Sequence, residues 1–334
     1  MKYTLGTNLD PVLLSFIETS NHASRDQITE VFAAIPFGTA GASRDPFRVG
    51  NVSLEGIQKH FAAAREAGIK VNYLFNSYLA PQDRARASKD IAAVIEKVQP
   101  DIVTVAHDSF LELLRGNHPD IPVCISIVRG VRDAEEIKRL AGKYTIKRII
   151  PHQSTVRNWD QLPRIIAAAR EAGVEIELLA NEMCQYECPI MRDHYRTLSR
   201  ASQQGKKPSD RHEKFCNQAR AENPLDFINA TWIRPEDVAL YEEMGVRMLK
   251  LAGRDKPTTY LTKVARAFLE RGYDGNVMDL FSTTWWPEQK PPYVDNRQLD
   301  GLVRGMRDMG ITHFEEMSAV PGQNRIKYYK TRLR

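Results

Sequence analysis

The sequence predicts an α/β fold, a (β/α)8 TIM-type barrel, and three observations carry that prediction. Eight short apolar, β-branched runs alternate with helical patterns through about 270 residues, the count a closed parallel barrel needs. Glycines stand just past the ends of several helical patterns, in the phrases REAG at 65–68 and 170–173 and EEMG at 242–245. Such glycines suit the left-handed cap that turns a chain into its next strand. No GxGxxG follows a strand and no GxxxxGK[ST] occurs, so the dinucleotide and P-loop readings of an open sheet lose their support.

In chain order the expected strands are 3–7, 30–35, 71–75, 102–106, 123–128, 148–151, 175–180 and 248–252. Helical patterns fill 54–67, 84–98, 134–140, 162–172, 235–244 and 259–271. Ser53, Asp108 and Asp133 stand where an N-cap belongs. Two segments break the alternation. A polar stretch at 203–224, QQGKKPSDRHEKFCNQARAENP, reads as an insertion after the seventh strand. From residue 274 onward a tail with Trp285, Trp286, Pro287, Pro291 and Pro292 reads as an extension. The expected organisation is therefore a barrel over 1–273 and a C-terminal extension over 274–334, packed on the barrel.

Composition narrows the class. The chain has 334 residues, 42% hydrophobic and 27% charged, with 47 Lys and Arg against 42 Asp and Glu. A net charge of +5 scattered along the chain does not predict an extended nucleic-acid footprint. No apolar run reaches the roughly 18 residues of a membrane span, and the start, MKYTLGTNLD, lacks the apolar core of a signal peptide. Four cysteines in a chain of this length do not make a disulfide scaffold and read as thiols or ligands. The expected protein is cytoplasmic and globular. The sequons at Asn51 and Asn229 carry little meaning without a secretion signal.

In a barrel of this type the active site lies at the C-terminal ends of the strands. Those positions hold Thr7 and Asn8, Phe37 and Gly38, Asn76 and Ser77, His107 and Asp108, Arg129, His152 and Gln153, Asn181 and Glu182, and Arg254. Nearly all are polar, against apolar strand bodies. Asn76, Arg129 and Arg254 are the expected substrate-binding residues, the arginines for an anionic group. His107, His152 and Glu182 are the acid/base candidates. The glycine-rich FGTAGASRDPFRVG stretch, with Arg44 and Arg48, follows strand two and is a candidate cover for a substrate. His22, His60, His118, His212 and His313 are expected at the surface.

The sharpest local signal is NEMCQYECPIMRDHYR at the end of the seventh strand. Cys184 and Cys188 are spaced as one helical turn, so both sulfurs can reach one metal centre, and Cys216 follows after 27 intervening residues. Pro189 fits the Cys-Pro ending of iron–sulfur runs, and three thiolates on a [4Fe–4S] cluster leave one iron for an outside ligand. The CxxxCxxC radical spacing fails because Met191 holds the third position. Zinc is the competing metal, with His194 completing a Cys3His set. Buried free cysteines are the remaining alternative. Cys124 lies some 15 Å from the strand end and is expected in the core.

With these residues in view, the chain resembles peptidase family U32, the collagenase-like group, over about residues 100 to 275. The resemblance rests on DIVTVAHDSFLELLRGNHPDIPVCIS, ELLANEMCQYECPIMRDHYR, WIRPEDVALYEEMGVRMLKLAGR and FLERGYDGN, in that order; the N-terminal TNLDPVLLSFIE is similar to a divergent branch. It implies a barrel that in several members carries a [4Fe–4S] cluster and serves oxygen-independent hydroxylation, while other members are known as proteases. Carried over, Cys184, Cys188 and Cys216 match the cysteine-rich segment; the family's four clustered cysteines are here three. The expectation is an iron–sulfur oxidoreductase or hydroxylase-type enzyme acting on a small metabolite, peptide or nucleoside. A peptidase is the first alternative, although no HExxH or GxSxG is present. A non-catalytic iron–sulfur partner subunit is the second, with the C-terminal extension as its contact surface to another protein.

Overall fold

A computed structural model of the chain describes residues 1–50, 52–223, 225–282 and 293–314. Eight parallel strands close into one barrel in the order β1 to β8, with β8 returning to β1. They are β1 Lys2–Gly6, β2 Gln27–Ala33, β3 Lys70–Phe75, β4 Ile102–Val105, β5 Val123–Ile125, β6 Arg148–Ile149, β7 Glu175–Leu179 and β8 Met248–Leu251. Each coincides with an expected run. The helices are α1 Pro11–Ala23, α2 Pro46–Val49, α3 Leu54–Glu66, α4 Arg84–Val98, α5 Asp108–Asn117, α6 Ala134–Lys143, α7 Gln161–Glu171, α8 Met191–Gln204, α9 Arg211–Glu222, α10 Asp226–Asn229, α11 Val238–Glu243, α12 Thr258–Glu270 and α13 Leu302–Asp308. Among the described residues, no helix is long and apolar enough to cross a membrane.

Local chemistry sets the element ends. The Ser53 hydroxyl accepts from the Gly56 N–H and the Asp133 carboxylate from the Glu136 N–H, as their positions predict. Gly68, Gly173 and Gly245, after α3, α7 and α11, have φ of +72°, +69° and +102°, so the repeated glycine phrase does end helices in the left-handed region. Asp108 departs from expectation. His107 occupies the cap position of α5, and Asp108 is the first helical residue. Its carboxylate accepts from both terminal nitrogens of Arg129, at 2.8 and 3.4 Å. A carboxylate in a first turn still meets the helix dipole favourably while it serves as an ion-pair partner.

Alternation along the strands divides the interior in two. Tyr3, Leu5, Val103, Val105, Leu178, Leu249 and Leu251 belong to the large core shared with the helices. The residues between them form the barrel lumen. There Ile102, Cys124, Ile150, Leu179 and Ala252 make a small apolar cluster, and Cys124 is fully buried as expected. Beside it lies a polar layer. Arg148 Nη1 donates to both Glu30 oxygens at 3.1 Å and to Glu177 Oε2 at 3.4 Å. Asn72 Nδ2 donates to Glu30 Oε1 at 2.7 Å, the Thr104 hydroxyl donates to Asn72 Oδ1 at 2.9 Å, and the Thr4 hydroxyl donates to Glu177. Lys250 Nζ sits 3.5 Å from the centroid of the Phe32 ring.

The long β7–β8 connection carries α8, α9, α10 and α11, so the polar stretch at 203–224 is mostly helical. The described part of the C-terminal extension is bonded to the barrel. Arg234 Nη1 donates to the Asn296 carbonyl at 2.8 Å, Trp159 Nε1 to the Ile311 carbonyl at 2.8 Å, and the Phe314 N–H to Asn229 Oδ1 at 2.7 Å. Asn51, Trp285, Trp286, Pro287, Pro291 and Pro292 lie outside the described residues.

Two of the histidines expected at the surface are buried, each with a polar partner. His60 Nε2 is 2.8 Å from the Thr7 hydroxyl, and His212 Nε2 is 2.7 Å from Asp193 Oδ2. Burial lowers the His60 imidazole to about 4. Between that value and an unfolded value of about 6.5, the unfolded chain binds a proton that the folded chain refuses. His60 therefore costs no stability above about pH 6.5 and up to about 3 kcal/mol as the pH falls toward 4. Urea unfolding followed by circular dichroism should show this slope, and His60→Gln should flatten it; an unchanged slope would show that other groups govern acid stability. Within the lumen, Arg148→Met leaves two buried carboxylates without their cation and should cost about 3–5 kcal/mol in the same assay. A loss below about 1 kcal/mol would mean the layer does not hold the barrel.

Candidate active site

Three segments meet over the C-terminal ends of β1, β2, β7 and β8. The first is the loop after β2. Asn76 fixes it from the end of β3: its Oδ1 accepts from the Ser43 N–H at 3.2 Å, and its carbonyl accepts from the Ser43 hydroxyl at 2.7 Å. Arg44 then spans the mouth, with Nη2 2.8 Å from Glu182 Oε1 and Nη1 2.6 Å from Asp255 Oδ1. Arg48 reaches Glu213 on α9 at 2.8 Å. The glycine-rich loop thus crosses the strand ends and is latched to both sides by arginine–carboxylate pairs, the strong class of hydrogen bond.

The second segment leaves β7. Asn181 ties it to β8, donating from Nδ2 to the Ala252 carbonyl at 3.0 Å and accepting the Ala252 N–H at 2.6 Å. Glu182 and Cys184 follow. The Cys184 carbonyl accepts from the Thr231 N–H at 3.0 Å, and the Met183 carbonyl accepts from Arg220. Cys184 and Cys188 do not stand on a helix, contrary to the spacing argument. Residues 184–190 are turn and coil, Glu187 has φ of +51°, and α8 begins at Met191. Pro189 explains this, since the residue before a proline is disfavoured in helical conformation. The third segment is α9, which supplies Cys216.

The turn nonetheless brings the thiols together. Cys184, Cys188 and Cys216 line one cavity of about 170 Å³, along with Arg44, Glu182, His194, Tyr195, Arg220 and Asp255. Burial raises all three thiol pKa values. Opposing groups pull toward the thiolate: the Ile190 and Met191 N–H groups point at the Cys188 sulfur, and the Arg220 guanidinium lies near both Cys188 and Cys216. His194 stacks on His212 with ring centroids 4.9 Å apart. Burial, with His212, Arg44 and Arg48 nearby, lowers His194 to about 4. Among the described residues, no group of three or more His, Cys, Asp and Glu side chains is arranged to hold a single metal ion.

A second cavity, about 320 Å³, opens beside the first and shares Ser43 and Tyr195 with it. His107 and Arg129 line it. Burial, and then Arg129, lowers His107 to about 4. The structure therefore divides the acid/base candidates. Glu182 lies in the thiol cavity, bound to Arg44, and His107 in its neighbour. His152 lines neither, because it is buried with Nδ1 accepting from the Ser154 N–H at 3.2 Å and Nε2 2.9 Å from Arg132. Of the expected substrate-binding residues only Arg129 lines a cavity. Asn76 braces the loop, and Arg254 is buried with Nη1 donating to the Ala34 carbonyl at 3.1 Å. The residues that the sequence reading missed are Asp255, Tyr195 and Arg220. Asp255 is one position from a strand-end candidate, whereas Tyr195 and Arg220 sit on helices of the insertion, where strand-end logic gives no signal.

Comparison with known proteins places this geometry. The uncharacterized protease MJ1657 of Methanocaldococcus jannaschii is 28% identical over 216 residues, spanning 64% of this chain and 62% of that protein. The chain thus matches less than two thirds of that relative's length. The solved structure of the U32 peptidase Mk0906 superposes with a TM-score of 0.52 at 15% identity, covering 77% of this chain and 93% of that one, a likeness of fold. The sequence model of peptidase family U32 matches residues 22–274, most of the barrel and the whole cysteine-bearing connection. The chain belongs to peptidase family U32.

Proposed function

We propose that the chain is an iron–sulfur enzyme of the oxidoreductase or hydroxylase type, modifying a small metabolite, a peptide or a nucleoside within a larger molecule. One observation carries this reading: Cys184 and Cys188 from the turn after β7 and Cys216 from α9 line a single cavity at the barrel mouth. The donor set suits a [4Fe–4S] cluster better than zinc. Each thiolate of a four-iron cluster binds its own iron, whereas the ligands of a zinc must converge on one ion. The three sulfurs share a cavity, and among the described residues they form no single-ion group with a neighbour. Peptide N–H groups aimed at Cys188 and the Arg220 guanidinium are the kind of donors that stabilise a thiolate.

Cys184, Cys188 and Cys216 would hold the cluster. With three protein ligands such a cluster would leave one iron open to an outside ligand, and it would supply redox or Lewis-acid chemistry to a bound substrate. The chain's own residues shape the rest. Arg44 closes the loop after β2 over the cavity and keeps Glu182 and Asp255 paired with a cation. His194 and His107, both lowered to about 4, are neutral at physiological pH and able to accept a proton or donate one N–H. Glu182 is the carboxylate that faces the same cavity as the thiols.

The names of MJ1657 and Mk0906 bring a hydrolytic reading with them. A cysteine peptidase needs a thiol activated by a lowered pKa and an adjacent base. Here burial raises all three thiols. Protein purified without oxygen should be brown and contain about four irons and four sulfides per chain. Cys188→Ala should bleach it and lower the iron content several-fold. A colourless wild-type protein with one zinc or no metal would overturn the cluster reading and send attention to peptide hydrolysis, with each cysteine replaced in turn.

A further inference from the structure

The cavity beside the thiols has a basic lining. Its wall contains Arg129, Arg192 and Arg196 against one carboxylate, Glu136. Arg129 is committed to that wall, paired with Asp108 at 2.8 Å and with Glu136 at 3.7 Å. The other two are not. Arg192 and Arg196 stand four residues apart on α8, so their side chains rise from one helix face. Among the described residues neither has a carboxylate partner, and Arg196 lies over the ring of Tyr78, 5.2 Å from its centroid. Stacking of this kind orients a guanidinium while leaving its N–H edge open. With Arg129 held by two carboxylates, Arg192 and Arg196 are the two remaining guanidiniums facing a space of about 320 Å³, at the low end of small-molecule sites.

We propose that this cavity is a binding subsite for a dianionic group of a small substrate, a phosphate monoester or a pair of carboxylates, gripped by Arg192 and Arg196 of α8 opposite Arg129. Ser43 and Tyr195 border both cavities, so a ligand anchored here extends its other end past them to the thiol cavity. Cys188 and Arg192 belong to the same short run of chain, so the helix that follows the cysteine turn also carries the anion grip. His107 and Tyr78, with rings 5.0 Å apart, form an aromatic side wall against which a planar ligand body can lie. The proposal rests on the reading of the barrel mouth as a substrate site, and it names the class of substrate that site accepts.

Calorimetric titration of the full chain at neutral pH and low salt tests it, with inorganic phosphate and succinate as the probes. One saturable site is expected for at least one of them, weakening as salt rises. Arg192→Gln and Arg196→Gln should each lower the affinity about tenfold, the scale of one charge-assisted hydrogen bond. Arg266→Gln on α12 should leave it unchanged. A preference for phosphate assigns a phosphate monoester, and a preference for succinate a dicarboxylate; either supports the subsite. Absence of binding for both probes, or equal binding in the Arg192→Gln/Arg196→Gln double variant with an unaltered circular dichroism spectrum, would overturn it. Cys188→Ala should keep anion binding while losing iron, so failure of the subsite and failure of the cluster are read separately.

Discussion

A charged layer inside the barrel is the constraint on which the rest of the structure depends. Glu30, Glu177, Arg148 and Lys250 project from four strands into the lumen, two acidic and two basic side chains, with Asn72, Thr104 and Thr4 adding hydrogen bonds to the carboxylates and to one another. Two carboxylates cannot stay ionised there without cations. One guanidinium bridges both, and a lysine lies over an aromatic face beside them. Directional bonds of this kind also select register. β5 has three residues and β6 two, so their backbone ladders alone hold the strands weakly. A one-residue slip of β6 would turn Arg148 out of the lumen and leave Glu30 and Glu177 unpaired. Oily strands can slide at small cost; these cannot.

Above that layer the mouth is asymmetric. Most strand-to-helix connections are short, but the one from β7 to β8 runs through α8, α9, α10 and α11, and the loop after β2 reaches across to meet it. The contacts between them are arginine–carboxylate pairs on both flanks, Arg44 with Glu182 and Asp255, and Arg48 with Glu213. A ligand cavity therefore forms off the barrel axis, against α8 and α9, with the closed barrel as its floor. Gly6 contributes to that floor. A β-carbon there would come within 2.9 Å of the Arg254 backbone nitrogen and 3.2 Å of the Phe32 ring, so only glycine lets β1 and the end of β8 approach at the mouth.

The sequence made the barrel legible because strands in a parallel barrel are buried on both faces and read as short apolar runs between capped helices. Ser53 and Asp133 cap as read, and the glycine phrase ends helices as read. The same two-sided burial hid the lumen. Glu177 in EIELLA and Lys250 in MLKLA stand as single charges within strands, a visible signal that alternation alone does not interpret until the lumen face is known. Asp108 sits where a cap belongs, and an ion pair with Arg129, from 21 residues away, took it instead. Distance along the chain is also why His152 and Arg254 read as mouth residues; they stand at strand ends, yet their side chains find Arg132 and the Ala34 carbonyl below the surface.

The cysteines show how three thiols can share a cavity without the local structure that their spacing suggests. Helical spacing is one way for residues four apart to share a side, and Pro189 rules it out here. A turn with Glu187 in the left-handed region is another, and it folds Cys188 back toward Cys184 so that both face the cavity reached by Cys216 on α9. The turn does something a helix would not. It ends at Met191, so the first N–H groups of the following helix, which have no intrahelical acceptor, are left facing the Cys188 sulfur. Those N–H groups and the dipole of α8 favour a thiolate at the helix entrance, and the next residues on the same helix, Arg192 and Arg196, carry positive charge into the adjoining cavity. Burial still leaves the Cys188 thiol raised against that pull, and the same helix start borders both the thiol cavity and the basic cavity.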